Sequence, residues 1–153
     1  MSVSIVDVPD SISKITWSTS ASFTVKDLDT ILDEVVSRQC PVVMPAPNWL
    51  SNIEIEMDNM GSGTAAQWTF TYIIGYRMFY LPLGQGRNQL GDVMPGLAQE
   101  VVYFLDGIIA NDNLTGCEHI ELAGSPVFGV VEDPVGNSFW GADIDLIVTE
   151  LVN

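Results

Sequence analysis

The spacing of apolar residues changes several times along the chain, and each change marks a candidate element. From Val25 the residues Val25, Leu28, Ile31, Leu32, Val35 and Val36 recur at spacings of three and four, the repeat of one helix face. Thr24 with Asp27 resembles a capping box that carries Asp for the usual Glu. The spacing therefore predicts a first helix over 25–39. Pro41 stops it, and Pro41, Pro45 and Pro47 make an extended connector, because a helix there would lose donors and clash.

The period then falls to two. Ile53, Ile55 and Met57 alternate with Glu54, Glu56 and Asp58, which predicts a half-buried strand with an acidic wet face and an apolar dry one. Residues 59–66, with Gly61 and Gly63, read as a turn, and 67–81 is rich in the Trp, Phe, Tyr, Ile and Thr that suit a pleated surface. The two strands are expected to pair as a hairpin. After a loop over 82–91, Asp92 caps a second helix that has Pro95 in its first turn and Leu97, Val101, Phe104, Leu105, Ile108 and Ile109 on its buried face. Asn111, Asp112 and Asn113 close that helix. Three β-like segments remain, 118–123, 127–132 and 139–151, the last two joined by a turn over 133–137. Ahead of the first helix stand a short β-like start at 3–8 and a Ser/Thr-rich stretch over 11–24, an exposed arm or a weakly paired strand.

Helices separated by hairpins predict an α+β fold, a mostly antiparallel sheet with two helices packed on one face. The sheet's other face then needs a surface that tolerates solvent or meets a partner. With 153 residues, 47% of them hydrophobic, the chain can bury one core of its own, and a single domain over 1–153 is expected. Charge narrows the partners. The chain has 20 Asp and Glu against 5 Lys and Arg, a formal net charge of −15, so its surface repels phosphate and argues against specific nucleic-acid binding. The amino terminus reads as neither signal peptide nor targeting helix. The longest apolar stretches, such as 72–83, alternate like strands and are broken by Gly75, Arg77 and Pro82, so no membrane-spanning helix is expected. Cys40 and Cys117, far apart, are expected to be buried thiols in a reducing compartment.

Few residues offer chemistry. His119 stands among Glu118, Ile120 and Glu121, but in a strand only His119 and Glu121 share a face, so a solvated strand end is the reading and no metal is expected. One histidine and two separate cysteines leave no serine triad or structural zinc site to assemble. Gly84, Gln85, Gly86 and Arg87 before a helix resemble a phosphate-cradling loop, yet Gln89 stands where a dinucleotide fingerprint has its third glycine, and no Walker lysine follows. Asp133, Gly136 and Asn137 fit a hairpin turn better than a calcium loop. Asp143 and Asp145 share a strand face, read as a wet edge rather than an acid–base pair. No enzyme and no cofactor are expected. The strand over 67–81 is apolar on both sides, central in the core or covered by a neighbouring subunit.

The layout from about Val25 to Val152 resembles the tail-terminator proteins of long-tailed bacteriophages, also grouped with tail-completion and neck proteins. The resemblance lies in the early amphipathic helix, the Pro-rich connector and the run "YRMFYLPLGQGRNQLGDVMPGLAQEVVYFLDGIIANDNLTG". It closes on "FGVVED", a Gly turn and "FWGADIDLIVTEL". The Ser/Thr-rich arm before Val25 departs from that pattern. The resemblance implies a hexameric ring on the head-facing end of the tail tube, which ends tube polymerisation and joins the head connector. It places the chain in the virion tail or neck, and in host cytoplasm during assembly. Its partners would be other copies of itself, tail-tube protein and the connector, with DNA passing through unbound. Glu54, Glu56 and Asp58 are the candidate lumen lining, and Arg77, Arg87 and Tyr80 the candidate subunit interface. Another neck or tail-tube component, or a small cellular α+β binding module, is the alternative.

Overall fold

The computed structural model of the protein describes residues 4–58, 67–83, 90–111, 114 and 117–152. In chain order the elements are helix α1 (Asp7–Ser13), strands β1 (Thr24–Val25), β2 (Val42–Asp58) and β3 (Gln67–Pro82), and helix α2 (Leu90–Ala110). Strands β4 (His119–Leu122), β5 (Val127–Glu132) and β6 (Ser138–Val152) follow, and a 3-10 turn at Ser37–Gln39 precedes β2. All six strands form one sheet in the order β1-β2-β3-β6-β4, with β5 also paired to β6. The fold is therefore α+β, with a sheet that is antiparallel except where β1 meets β2.

Strands β3 and β6 hold the centre and pair antiparallel from Trp68 opposite Val152 to Pro82 opposite Phe139. Side chains alternate across the pleat. One face thus gathers Tyr72, Ile74, Tyr76 and Met78 of β3 opposite Val148, Leu146, Ile144 and Ala142 of β6. All are buried, in one cluster with Val8 and Ile12 of α1 and Leu97, Val101, Phe104 and Ile108 of α2. Each large apolar side chain removed from water there contributes roughly 1.5–3 kcal/mol. A smaller cluster on the opposite side joins Val42 and Met44 of β2, Phe79 of β3, Val131 of β5 and Phe139 of β6 with Val35. The sheet is sandwiched at that end.

The expected helix over 25–39 does not form. Thr24 and Val25 pair in parallel with Val42 and Val43 as β1, and the Asp27 carboxylate accepts the backbone N–H groups of Asp29 and Thr30 at 3.0 and 2.9 Å. An Asp bonded to its own following backbone makes a turn and competes with helix. The apolar residues of that stretch are still used, since Ile31, Leu32 and Val35 cover the smaller cluster from irregular backbone. Helix is found instead at 7–13, within the region expected to be strand-like or exposed. Ile12, Ile15 and Phe23 are buried there, and Trp17 stacks on Phe104 of α2 with ring centroids 5.3 Å apart.

The Pro-rich connector is extended, as expected, and belongs to β2. Its ladder to β3 is irregular twice, between Pro45 and Leu50 and between Ser51 and Glu54. At the second irregularity Asn52 takes φ 50, a left-handed conformation that Asn tolerates better than most residues. Helix α2 begins by Leu90, so Asp92 lies in its first turn rather than at its cap, and Pro95 lies inside the helix. By length and composition Gly91–Ala110 is long and apolar enough to cross a membrane, contrary to the expectation from sequence. It packs Leu97, Val101, Phe104 and Ile108 into the core, as expected. Ile109, expected to be buried, is 67% exposed, and Leu105 is half-buried.

Candidate functional site

Beyond Leu50 strand β2 outruns its cover, and every residue from 51 to 57 is exposed. The expected alternation is present. Glu54 and Glu56 lie opposite Thr71 and Thr69, while Ile55 and Met57 lie opposite Phe70 and Trp68. The dry face is nevertheless wet, with Ile53, Ile55 and Met57 50%, 54% and 55% exposed. Alternation records which side is apolar but not whether any other part of the chain reaches it. The outer edge of β2 past Val43 also has no strand beside it among the described residues.

The Glu54 and Glu56 face continues across the sheet. Thr71 faces Thr149, Ile73 faces Ile147, Gly75 faces Asp145 and Arg77 faces Asp143, and on the far side His119 faces Thr149 and Glu121 faces Ile147. Among the residues whose side chains are described, Glu54, Glu56, Asp143, Asp145 and Glu121 share this face with Arg77 and His119. His119 Nε2 lies 3.5 Å from Glu121 Oε2, both exposed, on the shared face read from the sequence. Asp143 and Asp145 do share a face, but β6 is an inner strand between β3 and β4–β5, so they do not form an edge. Burial, then the neighbouring Asp143, raises the pKa of Asp145. Gly75 leaves room for it: a Cβ there would stand 3.1 Å from Asp145 Oδ1.

Arg77 meets its carboxylate inside its own chain. Its Nε donates to Asp143 Oδ1 at 2.7 Å, Nη2 to Asp143 Oδ2 at 3.0 Å, and Nη1 to the Glu132 carbonyl at 3.1 Å. Hydrogen bonding to Asp143 raises the Arg77 pKa against the opposing effect of burial. Beside this pair lies a cleft of about 470 Å³ lined by Ile31, Met44, Pro45, Ala46, Pro47, Trp49, Phe79 and Pro134, together with Glu132 and Asp133. The first irregularity of β2, between Pro45 and Leu50, falls along its wall.

Three buried carboxylates tie together segments distant in sequence. Glu150 Oε1 accepts the Ser4 N–H at 2.7 Å and its Oε2 accepts the Tyr72 hydroxyl. Glu100 accepts the Ser22 N–H at 2.9 Å. Asp133 accepts Val35 N–H at 2.9 Å with Oδ2 and Asn137 N–H at 2.8 Å with Oδ1. Burial would raise the Asp133 pKa, but the hydrogen bonds from Val35 and Asn137 outweigh it and the net shift is downward from 3.8. A depressed carboxylate contributes stability above its unfolded pKa and loses it as pH falls through the folded value. Asp133→Asn, which puts an amide where an acceptor is needed, is expected to cost about 1–3 kcal/mol at pH 7. In urea titrations its deficit relative to the parent should shrink below pH 3.8.

Of the residues singled out beforehand, Glu54 and Glu56 are exposed on the acidic face, and Asp58 ends β2 opposite Gln67. Tyr80 is half-buried against the main cluster, its hydroxyl over Gly96 of α2. Arg87, with the loop over 84–89, lies outside the described residues. Cys40 and Cys117 are free and half-buried rather than fully buried. Burial pushes their thiols up to about 11 and about 12, with Glu150 adding to the second, so neither is a thiolate at neutral pH. The tethering carboxylates were missed, for nothing in sequence separates a buried Glu from a solvated one until its donor is in place. Among the described residues no three His, Cys, Asp or Glu come together as a metal site. No protein-family model matches this chain, and no curated protein matches it significantly.

Proposed function

We propose that the protein is a structural subunit of a ring that caps the tail tube of a long-tailed bacteriophage. On this reading it ends tube polymerisation and presents a surface to the head connector, and it carries out no reaction. The observation that carries it is the acidic sheet face, which runs without a break in register from Glu54 and Glu56 through Asp145 and Asp143 to Glu121. Away from the end covered by the smaller cluster, Glu54, Glu56, Asp145 and Glu121 of this face are exposed, which supports its lining a passage. Carboxylates lining a lumen repel the phosphates of DNA passing through and keep it from adhering.

The open edge of β2 and the apolar side of its outer half, Ile55 and Met57 with Trp68, supply what a neighbouring copy would cover. A closed ring of six copies, docked on tail-tube protein below and the connector above, uses both surfaces. It would stand in the virion neck, after assembly in host cytoplasm.

Light scattering on the pure protein over a concentration series tests this. A discrete hexamer, or a monomer that closes into rings when tail tube is added, is the expected result. Open tubes would indicate a tube component, and a stable monomer indifferent to tube protein would favour the second reading, a small binding module. The cleft beside Trp49 is the observation behind that alternative. For the lining itself, Lys at Glu54, Glu56 and Asp58 together is expected to slow or block DNA ejection. Unaltered infectivity in that variant would remove these residues from the lumen.

A further inference from the structure

We infer that copies of the chain join head to tail by strand pairing, the outer half of β2 in one copy adding antiparallel to β5 of the next. The inference rests on the ring reading for its closure and deepens it, since it names the two surfaces that meet.

An open sheet has two edges, and an unpaired strand there offers backbone donors and acceptors to another chain. One edge here is the outer half of β2, which pairs in register with β3 over 54–58 and has no strand on its other side among the described residues. The other edge is made by β4 and β5, whose one strand partner among the described residues is β6. No proline interrupts 48–58 or 127–132, so each residue there has an N–H to offer. Both edges are also apolar in part, with Ile55 and Met57 exposed on β2 and Val127 and Val130 exposed on β5. Direction agrees as well. The pairs β2–β3, β3–β6 and β6–β5 are each antiparallel, so β5 runs opposite to β2. A copy added beside β5 with the same face forward therefore brings its β2 in antiparallel, the more stable pairing.

Charge chooses among the ways the edges could meet. In β5, Val127, Gly129 and Val131 lie opposite Asp143, Gly141 and Phe139 of β6 and so share the acidic face, while Phe128 and Val130 share the face of Tyr72. Pairing β2 with β5 then sets Glu54 and Glu56 beside residues without charge, and Ile55 and Met57 beside Phe128 and Val130. Pairing β2 with β4 would instead bring Glu121, which is on the acidic face, beside Glu54 and Glu56. A two-fold pairing of β2 with β2 would set Glu54 and Glu56 of both copies together. Like charges opposite one another across strands are destabilising. A two-fold pairing of β5 with β5 escapes that cost but leaves both β2 edges open. The head-to-tail joint uses both edges, repeats from copy to copy, and keeps the acidic face on one side throughout, as a closed ring with an acidic lumen needs.

The test uses two full-length variants, one blocked at β2 by Ile55→Asp with Met57→Asp, the other at β5 by Val127→Glu with Val130→Asp. All four positions are exposed, so both variants should keep the parent's circular dichroism. By light scattering each alone is expected to associate about a hundredfold or more weakly than the parent. Mixed in equal amounts they should form a dimer and stop there, because each retains the one edge that the other lacks. Assembly of either variant as readily as the parent, or a mixture that stays monomeric, would overturn the pairing. A self-dimer of the β2-blocked variant would do so too, by showing β5 on β5. The ring reading is tested separately by the parent: open chains from it with a dimer from the mixture uphold the joint and remove the ring. Closed hexamers from both variants uphold the ring and remove the joint.

Discussion

Gly141→Ala is expected to destabilise the fold by about 3 kcal/mol or more, a large part of the roughly 5–15 kcal/mol that holds a domain folded. Gly141 sits in β6 opposite Phe79 of β3 and Gly129 of β5. A Cβ there would overlap the Met78 carbonyl oxygen and come within 2.6 Å of Val131 Cγ2. The Met78 carbonyl is backbone of a central strand, which cannot turn aside as the end of a long side chain could. Just past this point the β3–β6 register shifts between Phe79 and Leu81. A urea titration by circular dichroism measures the cost. A loss under about 1 kcal/mol would mean that β6 can back away from β3 without disturbing the smaller core.

Phe104→Ala is expected to cost about 3–5 kcal/mol and to do so unevenly along the chain. Phe104 is fully buried, and its ring is the common neighbour of Trp17 at 5.3 Å, Tyr76 at 5.5 Å and Phe23 at 6.0 Å. Trp17 and Phe23 belong to the irregular stretch between α1 and β1, which has little regular backbone pairing of its own. That stretch is therefore held by aromatic contact and by the Ser22 bond to Glu100. Hydrogen exchange should show faster exchange over 15–25 than in β3 and β6. Uniform acceleration would mean that the stretch opens only with the whole domain.

How far the sequence could be read follows from how local each signal was. The acidic and apolar alternation of 53–58, the aromatic strand over 67–81, the helix around Leu97 and Phe104, and the three closing strands all appear where their own periodicity places them. The turn over 133–137 does too, with Asp133 bonded to Asn137. The stretch 25–36 has a helical period as clear as that of α2 and is not a helix, because Asp27 satisfies its following backbone in a turn and Val25 is taken by β2. In α1 the helix has only seven residues, too short for a periodic signal to stand out.

For the candidate surfaces the division is similar. That Glu54 and Glu56 share a face is a consequence of the two-residue period, and so is the pairing of His119 with Glu121 on one side. Sequence alone also determined the sign of the charge and the scarcity of groups that could do chemistry. Only the tertiary structure decided that Ile55 and Met57 stand in solvent, that Arg77 is held by Asp143, and that Glu100, Asp133 and Glu150 are tethers. The reason is that period and composition are properties of neighbours along the chain. Burial and hydrogen-bond partners depend on residues as far apart as Ser4 and Glu150, which meet only when the sheet is complete.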